Sequence, residues 1–270
     1  MSKKWLKVAL MVTAIATGTS IQVDAETVLY VPQDDRPVSL QYTVDTAKAA
    51  GMTVLTPPQN LISGKTYKGQ ADQIWNWVEQ NAGRADVMVL STDTLIYGGL
   101  VDSRKHNLPL STLENRLKRI EALKANHKNT RIYGFGTVMR SPRASGGGTE
   151  PSYYADYGPT IFQIAALQDK LDAGTLTQAE TQKLMSLQAS VPVEYLQDWF
   201  SRRQKNMQVN KDLIDEARNG VFAYFALGHD DTSQLSQSAL EGRYLNQYSK
   251  GIPRTQYGSF PGADQLGLLL

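Results

Sequence analysis

The sequence predicts a parallel α/β fold built from βα repeats, and three observations carry that expectation. Short apolar runs alternate with longer segments whose apolar residues recur at helical spacing. One run, ADVMVLS at 85–91, is almost continuously apolar, as strands covered on both faces of a parallel sheet are. The runs also end repeatedly in acids and arginines: 27–31 leads to Asp34, Asp35 and Arg36, 85–91 to Asp93, 131–139 to Arg140, 221–227 to His229, Asp230 and Asp231, and 257–261 to Asp264. Polar residues just past the carboxyl ends of such strands face the ligand crevice, so the recurrence marks a candidate site. An incomplete TIM-like barrel with a helical insertion is the expected arrangement, and an open doubly wound sheet is the alternative.

Before the first strand lies a basic head with Lys3, Lys4 and Lys7, an apolar segment over 8–16, and a small-x-small close at Val23, Asp24 and Ala25. This is the pattern of a secretory signal peptide over 1–25, and the apolar segment is much shorter than the ~20 residues of a spanning helix. One α/β domain over 26–270 is expected outside the cytoplasm, with no stable membrane insertion after leader removal. Losing three lysines and one aspartate takes the formal net charge from +2 to zero. A neutral chain gives no electrostatic reason for a nucleic-acid partner. With no cysteine, thiol catalysis and zinc-thiolate sites are excluded, and stability rests on an apolar core.

Taken in order, Ser39 is placed to cap a helix over 39–50 that Gly51 closes, and a strand at 52–55 stops at Thr56, Pro57 and Pro58. A polar loop over 59–69 precedes an amphipathic helix at 71–82 with Ile74, Trp77 and Val78 at helical spacing; Trp75 and Trp77 read as packing residues in preference to a sugar platform. After the strand at 85–91, Gly98 and Gly99 permit a tight turn or close approach to a ligand, with Asp93, Tyr97, Ser103 and Arg104 beside them. Ser111 and Glu114 make a capping box, and Leu113, Leu117, Ile120 and Leu123 a structural helix stripe. The next strand contains Gly134 and Gly136 but no third glycine and no following helix, so it is not a dinucleotide fingerprint.

Beyond Arg140 come Pro142, Arg143, the glycines at 146–148, and then Glu150, Tyr153, Tyr154, Asp156 and Tyr157. This reads as a lid whose tyrosines offer a flat apolar face and a hydroxyl to a sugar. No Walker-type lysine follows, which argues against a phosphate cradle. Helices at 159–172, 177–189 and 192–218 form an insertion over about 158–219, with Arg202, Arg203 and Lys205 on a solvated face. The strand at 221–227 ends in Gly228, His229, Asp230, Asp231 and Thr232, and adjacent carboxylates resist ionising together, so one can stay protonated as an acid. A helix at 236–247 and a strand at 257–261 lead to Asp264. The chain closes on GADQLGLLL, which reads as the first turns of an apolar helix in a truncated protein.

Five motifs, VPQDDRP, DTLIYGGLVDSR, VMRSP followed by EPSYYADYG, GHDDTSQ and PGADQLGLLL, run in order along the mature chain. In that order they resemble the bacterial family catalogued as domain of unknown function 4127. The resemblance implies the amino-terminal part of a longer α/β protein, and it departs from the pattern at Gln265, where an acid commonly follows Asp264. It implies no assigned activity.

The carboxylates, the tyrosine loop and the exported address together lead to the expectation of a secreted glycoside hydrolase acting on an amino-sugar-containing glycan. Asp231 is the expected general acid and Asp230 the carboxylate that orients the substrate's acetamido group; GHDD resembles the adjacent acids of substrate-assisted hexosaminidases. Asp34, Asp35, Arg36, Asp93, Tyr97, Arg140, Glu150, Tyr153, Tyr154, His229 and Asp264 are the candidate substrate-binding residues. No cofactor is expected, and the carbohydrate is the partner. One alternative is a divalent-metal hydrolase with ligands among Asp34, Asp35, His229, Asp230 and Asp231. The other is a non-catalytic glycan-binding or envelope protein.

Overall fold

The computed structural model describes residues 25–144, 147–231 and 233–270. The leader, apart from Ala25, lies outside the described residues, as do Gly146 of the glycine run and Thr232 of the acidic cluster. Six strands make one sheet: β1 (Thr27–Val31), β2 (Thr53–Leu55), β3 (Val87–Ser91), β4 (Arg131–Val138), β5 (Tyr224–His229) and β6 (Tyr257–Pro261). All pairings are parallel, in the order β2-β1-β3-β4-β5-β6.

That order decides between the two expected arrangements. A barrel joins strands in sequence order and closes the last on the first; here β1 is interior, between β2 and β3, and the sheet is open. The fold is therefore the doubly wound alternative, and the barrel expectation is corrected. The chain steps from β1 to β2 in one direction and from β3 onward in the other, so its topological switch point lies between β1 and β3.

Right-handed crossovers put helices on opposite faces when the direction of travel reverses. Helix α1 (Gln41–Ala49), from the β1 to β2 step, packs Val44 against one face with Val28, Tyr30, Val89 and Phe135. On the other face lie α2 (Ala71–Asn81), the short helices α3 (Thr92–Tyr97) and α4 (Leu100–Lys105), and α5 (Leu110–Asn126). Ile74, Val78, Leu113, Leu117 and Ile120 join Leu29, Met88 and Phe225 in the main core. The chain then makes three further helices, α6 (Tyr154–Asp172), α7 (Gln178–Ser190) and α8 (Val193–Arg218), before β5, and α9 (Gln237–Tyr248) before β6.

The insertion has a small core of its own, with Tyr154, Ile161, Ile164, Leu184 and Trp199. Thr177 and Glu180 form a capping box at the start of α7. Ser111 does not cap, because α5 starts at Leu110, behind Pro109. Nor are Arg202, Arg203 and Lys205 a solvated face. Helix α8 is wedged between sheet and insertion, so its polar stripe meets backbone carbonyls: Arg202 Nε donates to His106 O at 2.7 Å and Lys205 Nζ to Leu108 O at 2.7 Å. Arg203 grips Glu241 through two nitrogens at 2.7 and 2.6 Å. It also donates to the carbonyls of Met139 and Arg140, at 2.7 and 2.9 Å, which fixes the chain as it leaves β4.

The glycines inside β4 serve packing. A Cβ at Gly134 would sit 2.6 Å from the Phe222 ring, and one at Gly136 would sit 2.3 Å from Thr92 Oγ1. At the other end of the chain the expected apolar helix is a single 3-10 turn, Leu266–Leu268, with Leu266 buried against the α1 face of the sheet.

Candidate functional site

Parallel strands bring all their carboxyl ends to one edge, and the register aligns the strand ends there. Val31 pairs with Leu90, Ser91 with Phe135 and Val138 with His229, so the segments after β1, β3, β4 and β5 start side by side. Short hydrogen bonds sew them together. Thr94 Oγ1 donates to Pro32 O at 2.6 Å, and Thr92 Oγ1 to Phe135 O at 3.0 Å.

Asp93 sits at this seam, 2% exposed. Its Oδ2 accepts from Thr137 Oγ1 at 2.8 Å and from Gln33 Nε2 at 3.3 Å. Burial pushes its carboxyl up to about 7; the hydrogen bonds of Thr137 and Gln33 offset part of the rise, and the charge of Asp230 adds to it.

Asp230, from the end of β5, is held differently, by an ion pair with Arg104 of α4. Burial leaves its carboxyl raised as well, with the guanidinium groups of Arg104 and Arg140 offsetting part of the rise. Arg104 Nη1 also lies 3.9 Å from Glu150 Oε1, and Arg140 Nε donates to the same oxygen at 2.7 Å. Two arginines and two acids thus form one linked group.

The turn that delivers Arg104 depends on its glycines. Gly98 ends α3 in the left-handed region at φ 112°, and a Cβ on Gly99 would fall 1.8 Å from Ser63 Oγ. Beside this group, Arg36 Nε donates to Asp34 at 2.8 Å and its Nη2 to Asp264 at 2.8 Å, linking the end of β1 to the residue past β6. Asp35 receives the hydroxyl of Tyr67.

Among the described residues, Gln33 Oε1 and Arg104 Nε are buried polar atoms of this site with no partner, and Asp231 Oδ2 beside Asp230 is another. An acceptor and a donor left open at a strand-end crevice are what a ligand would satisfy.

Of the residues named from sequence, Asp34, Arg36, Asp93, Arg140, Glu150, Asp230 and Asp264 are brought into this constellation, with Asp35 at its rim. Others go elsewhere. Tyr97 is buried in the main core against the His106 ring, 4.9 Å between centroids. Tyr154 is fully buried on Trp199, with its hydroxyl donated to Pro142 O at 2.8 Å; Tyr153 stacks on Tyr195 and donates to Asp198 at 2.5 Å. These tyrosines hold the insertion to itself and do not form a lid face. His229 turns away from Asp230, its Nε2 2.7 Å from Ser259 Oγ, and burial lowers its pKa. Asp231 Oδ1 accepts the Ser233 amide at 2.9 Å in a local turn.

Sequence reasoning passed over Gln33 and Thr137, neutral residues inside or beside apolar runs, and Tyr67, in a polar loop. It named Arg104 only as a neighbour of the glycine turn, although an arginine after a Gly-Gly turn was the available signal. Among the described residues no three His, Asp or Glu side chains gather in a way that could hold a metal ion. None of the described helices is long and apolar enough to cross a membrane.

An open doubly wound α/β protein with a charged constellation at its switch point is the class that fold and site define. Within it, the chain belongs to the family of proteins of unknown function DUF4127, which matches residues 28–270. No curated protein matches the chain.

Proposed function

We propose that the protein is an extracytoplasmic glycoside hydrolase acting on an amino-sugar-containing glycan, with Asp93 as the proton donor and Asp230 as its anionic counterpart. The observation that carries this reading is the division of labour between two acids from different strands. Asp93 is held by neutral donors and poised near neutrality, whereas Asp230 is bound to Arg104. Glycoside hydrolysis needs such a pair, one carboxyl to protonate the leaving oxygen and one carboxylate to face the positive charge that develops on the sugar ring.

Asp231 accepts the Ser233 amide in a local turn, and the proton-donor role is given to Asp93 in its place. Asp34, Asp264 and Arg36, with Arg140 and the open atom of Gln33, offer donors and acceptors for sugar hydroxyls. The surplus of acids over arginines favours a neutral or nitrogen-bearing sugar over an anionic one.

A panel of aryl glycosides, aryl N-acetylhexosaminides among them, tests the reading. Asp93→Asn is expected to reduce turnover by about 10²–10⁴-fold and to remove the alkaline limb of the pH profile near 7. That limb arises because the donor must carry its proton, which it loses as pH rises through the value set by burial. Wild-type turnover in Asp93→Asn would overturn the assignment.

A further inference from the structure

A cleft of about 660 Å³ adjoins the site at Asp35, bounded by α1, the turn that follows β2, and α2. Asp35, Gln41, Asp45, Pro57, Gln59 and Trp77 line it. The two tryptophans of α2 part company here. Trp75 is fully buried and donates its Nε1 to Leu95 O at 2.8 Å. Trp77, two residues and so about 200° further round the helix, packs only partly against the core and gives part of its surface to the cleft.

Asp35 is fixed in place. Its amide donates to Ser63 O at 2.9 Å and its carboxylate receives the Tyr67 hydroxyl. An indole face, a proline wall, the amides of Gln41 and Gln59 and two carboxylates without a basic partner among the described residues match the mixed surface of a pyranose, whose C–H face is apolar and whose rim is polar.

We propose that this cleft is a second saccharide subsite for a neutral or amine-bearing sugar, joined through Asp35 to the strand-end site so that one glycan spans both. The proposal rests on the glycan reading above, and it adds a preference for chain length. A glycan lying along this edge meets Trp77 at one unit while Asp93 and Asp230 face the bond some units away. On this reading a single sugar at the strand ends leaves Trp77 uncovered.

Calorimetric titration of the full chain carrying Asp93→Asn, with the tetramer of N-acetylglucosamine and with the monosaccharide, separates the possibilities. Adding Trp77→Ala is expected to weaken tetramer binding about tenfold or more and monosaccharide binding less than about twofold. Gln59→Ala, on the turn, is expected to act in the same direction, and Trp77→Phe to restore most of the affinity. Equal tetramer affinity with and without Trp77 would overturn the subsite while leaving aryl glycoside turnover, and the hydrolase reading, standing. Failure of the parent to bind the tetramer would overturn the subsite as well, and absence of turnover on every glycoside would take the hydrolase reading with it.

Discussion

A carboxyl group buried as deeply as Asp93 is stable in the folded chain mainly as the neutral acid, and that leaves a signature in stability as well as in catalysis. Below about pH 4 the folded and unfolded chains both carry the proton, and the group has no differential effect. As pH rises from about 4 to about 7 the unfolded chain gives it up while the folded chain keeps it, because burial has pushed Asp93 up to about 7. Stability from this group therefore falls with rising pH, at most by roughly 1.4 kcal/mol per unit, and levels off beyond. Asp93→Asn keeps the shape and cannot titrate, so denaturant unfolding of the variant is expected to lose this part of the slope. Glu216, also raised to about 7 by burial, adds a slope of the same sign, and His106, pushed down to about 4 by burial, one of the opposite sign. The difference between variant and parent isolates Asp93; identical slopes would contradict its buried acidity. The sequence exposed this residue because an acid ending an apolar run is a local signal. Gln33 and Thr137 send none, since what makes them partners of Asp93 is the side-by-side register of three strands.

Helices and strands were readable where they depend on their own residues. The stripe of α5 and the box at the start of α7 are such cases. The polar face of α8 was misleading for the converse reason: Arg203 looks like a surface residue until the carbonyls of Met139 and Arg140 and the carboxylate of Glu241 are brought to it from other elements. The lid tyrosines failed in the same way, captured by Trp199 and Tyr195 of α8. The turn that sets α4, and with it Arg104, can be tested by contrast. A Cβ on Gly69 would lie 1.9 Å from Gly98 O, a backbone atom that cannot swing aside, whereas Gly83 has nothing within 4 Å of its Cβ position. Gly69→Ala is expected to cost about 1–3 kcal/mol and to displace Arg104 from Asp230. Gly83→Ala, in the turn after α2, is expected to be neutral or to stabilise by up to about 1 kcal/mol. Equal melting temperatures for the two variants would contradict the tight packing of Gly69 on Gly98.

The architecture as a unit was legible only to the level of parallel βα repeats. Barrel and open sheet share that local grammar, and they part at strand order, which is set by where α1 packs and by the reversal at β1. The reversal matters for function. It opens a crevice between β1 and β3, where Gln33 and Asp93 meet, and the steps to β4, β5 and β6 then bring Thr137, Asp230 and Asp264 to the same edge.

If the acids do converge there in two protonation states, the Asp93 carboxyl itself must report it. Carbon-13 NMR titration of the aspartate carboxyls, with Asp93→Asn to assign the signal, is expected to show Asp93 taking up its proton near pH 7. A signal that titrates near pH 4, like that of a solvated aspartate, would contradict the buried strand-end site and the role given to it.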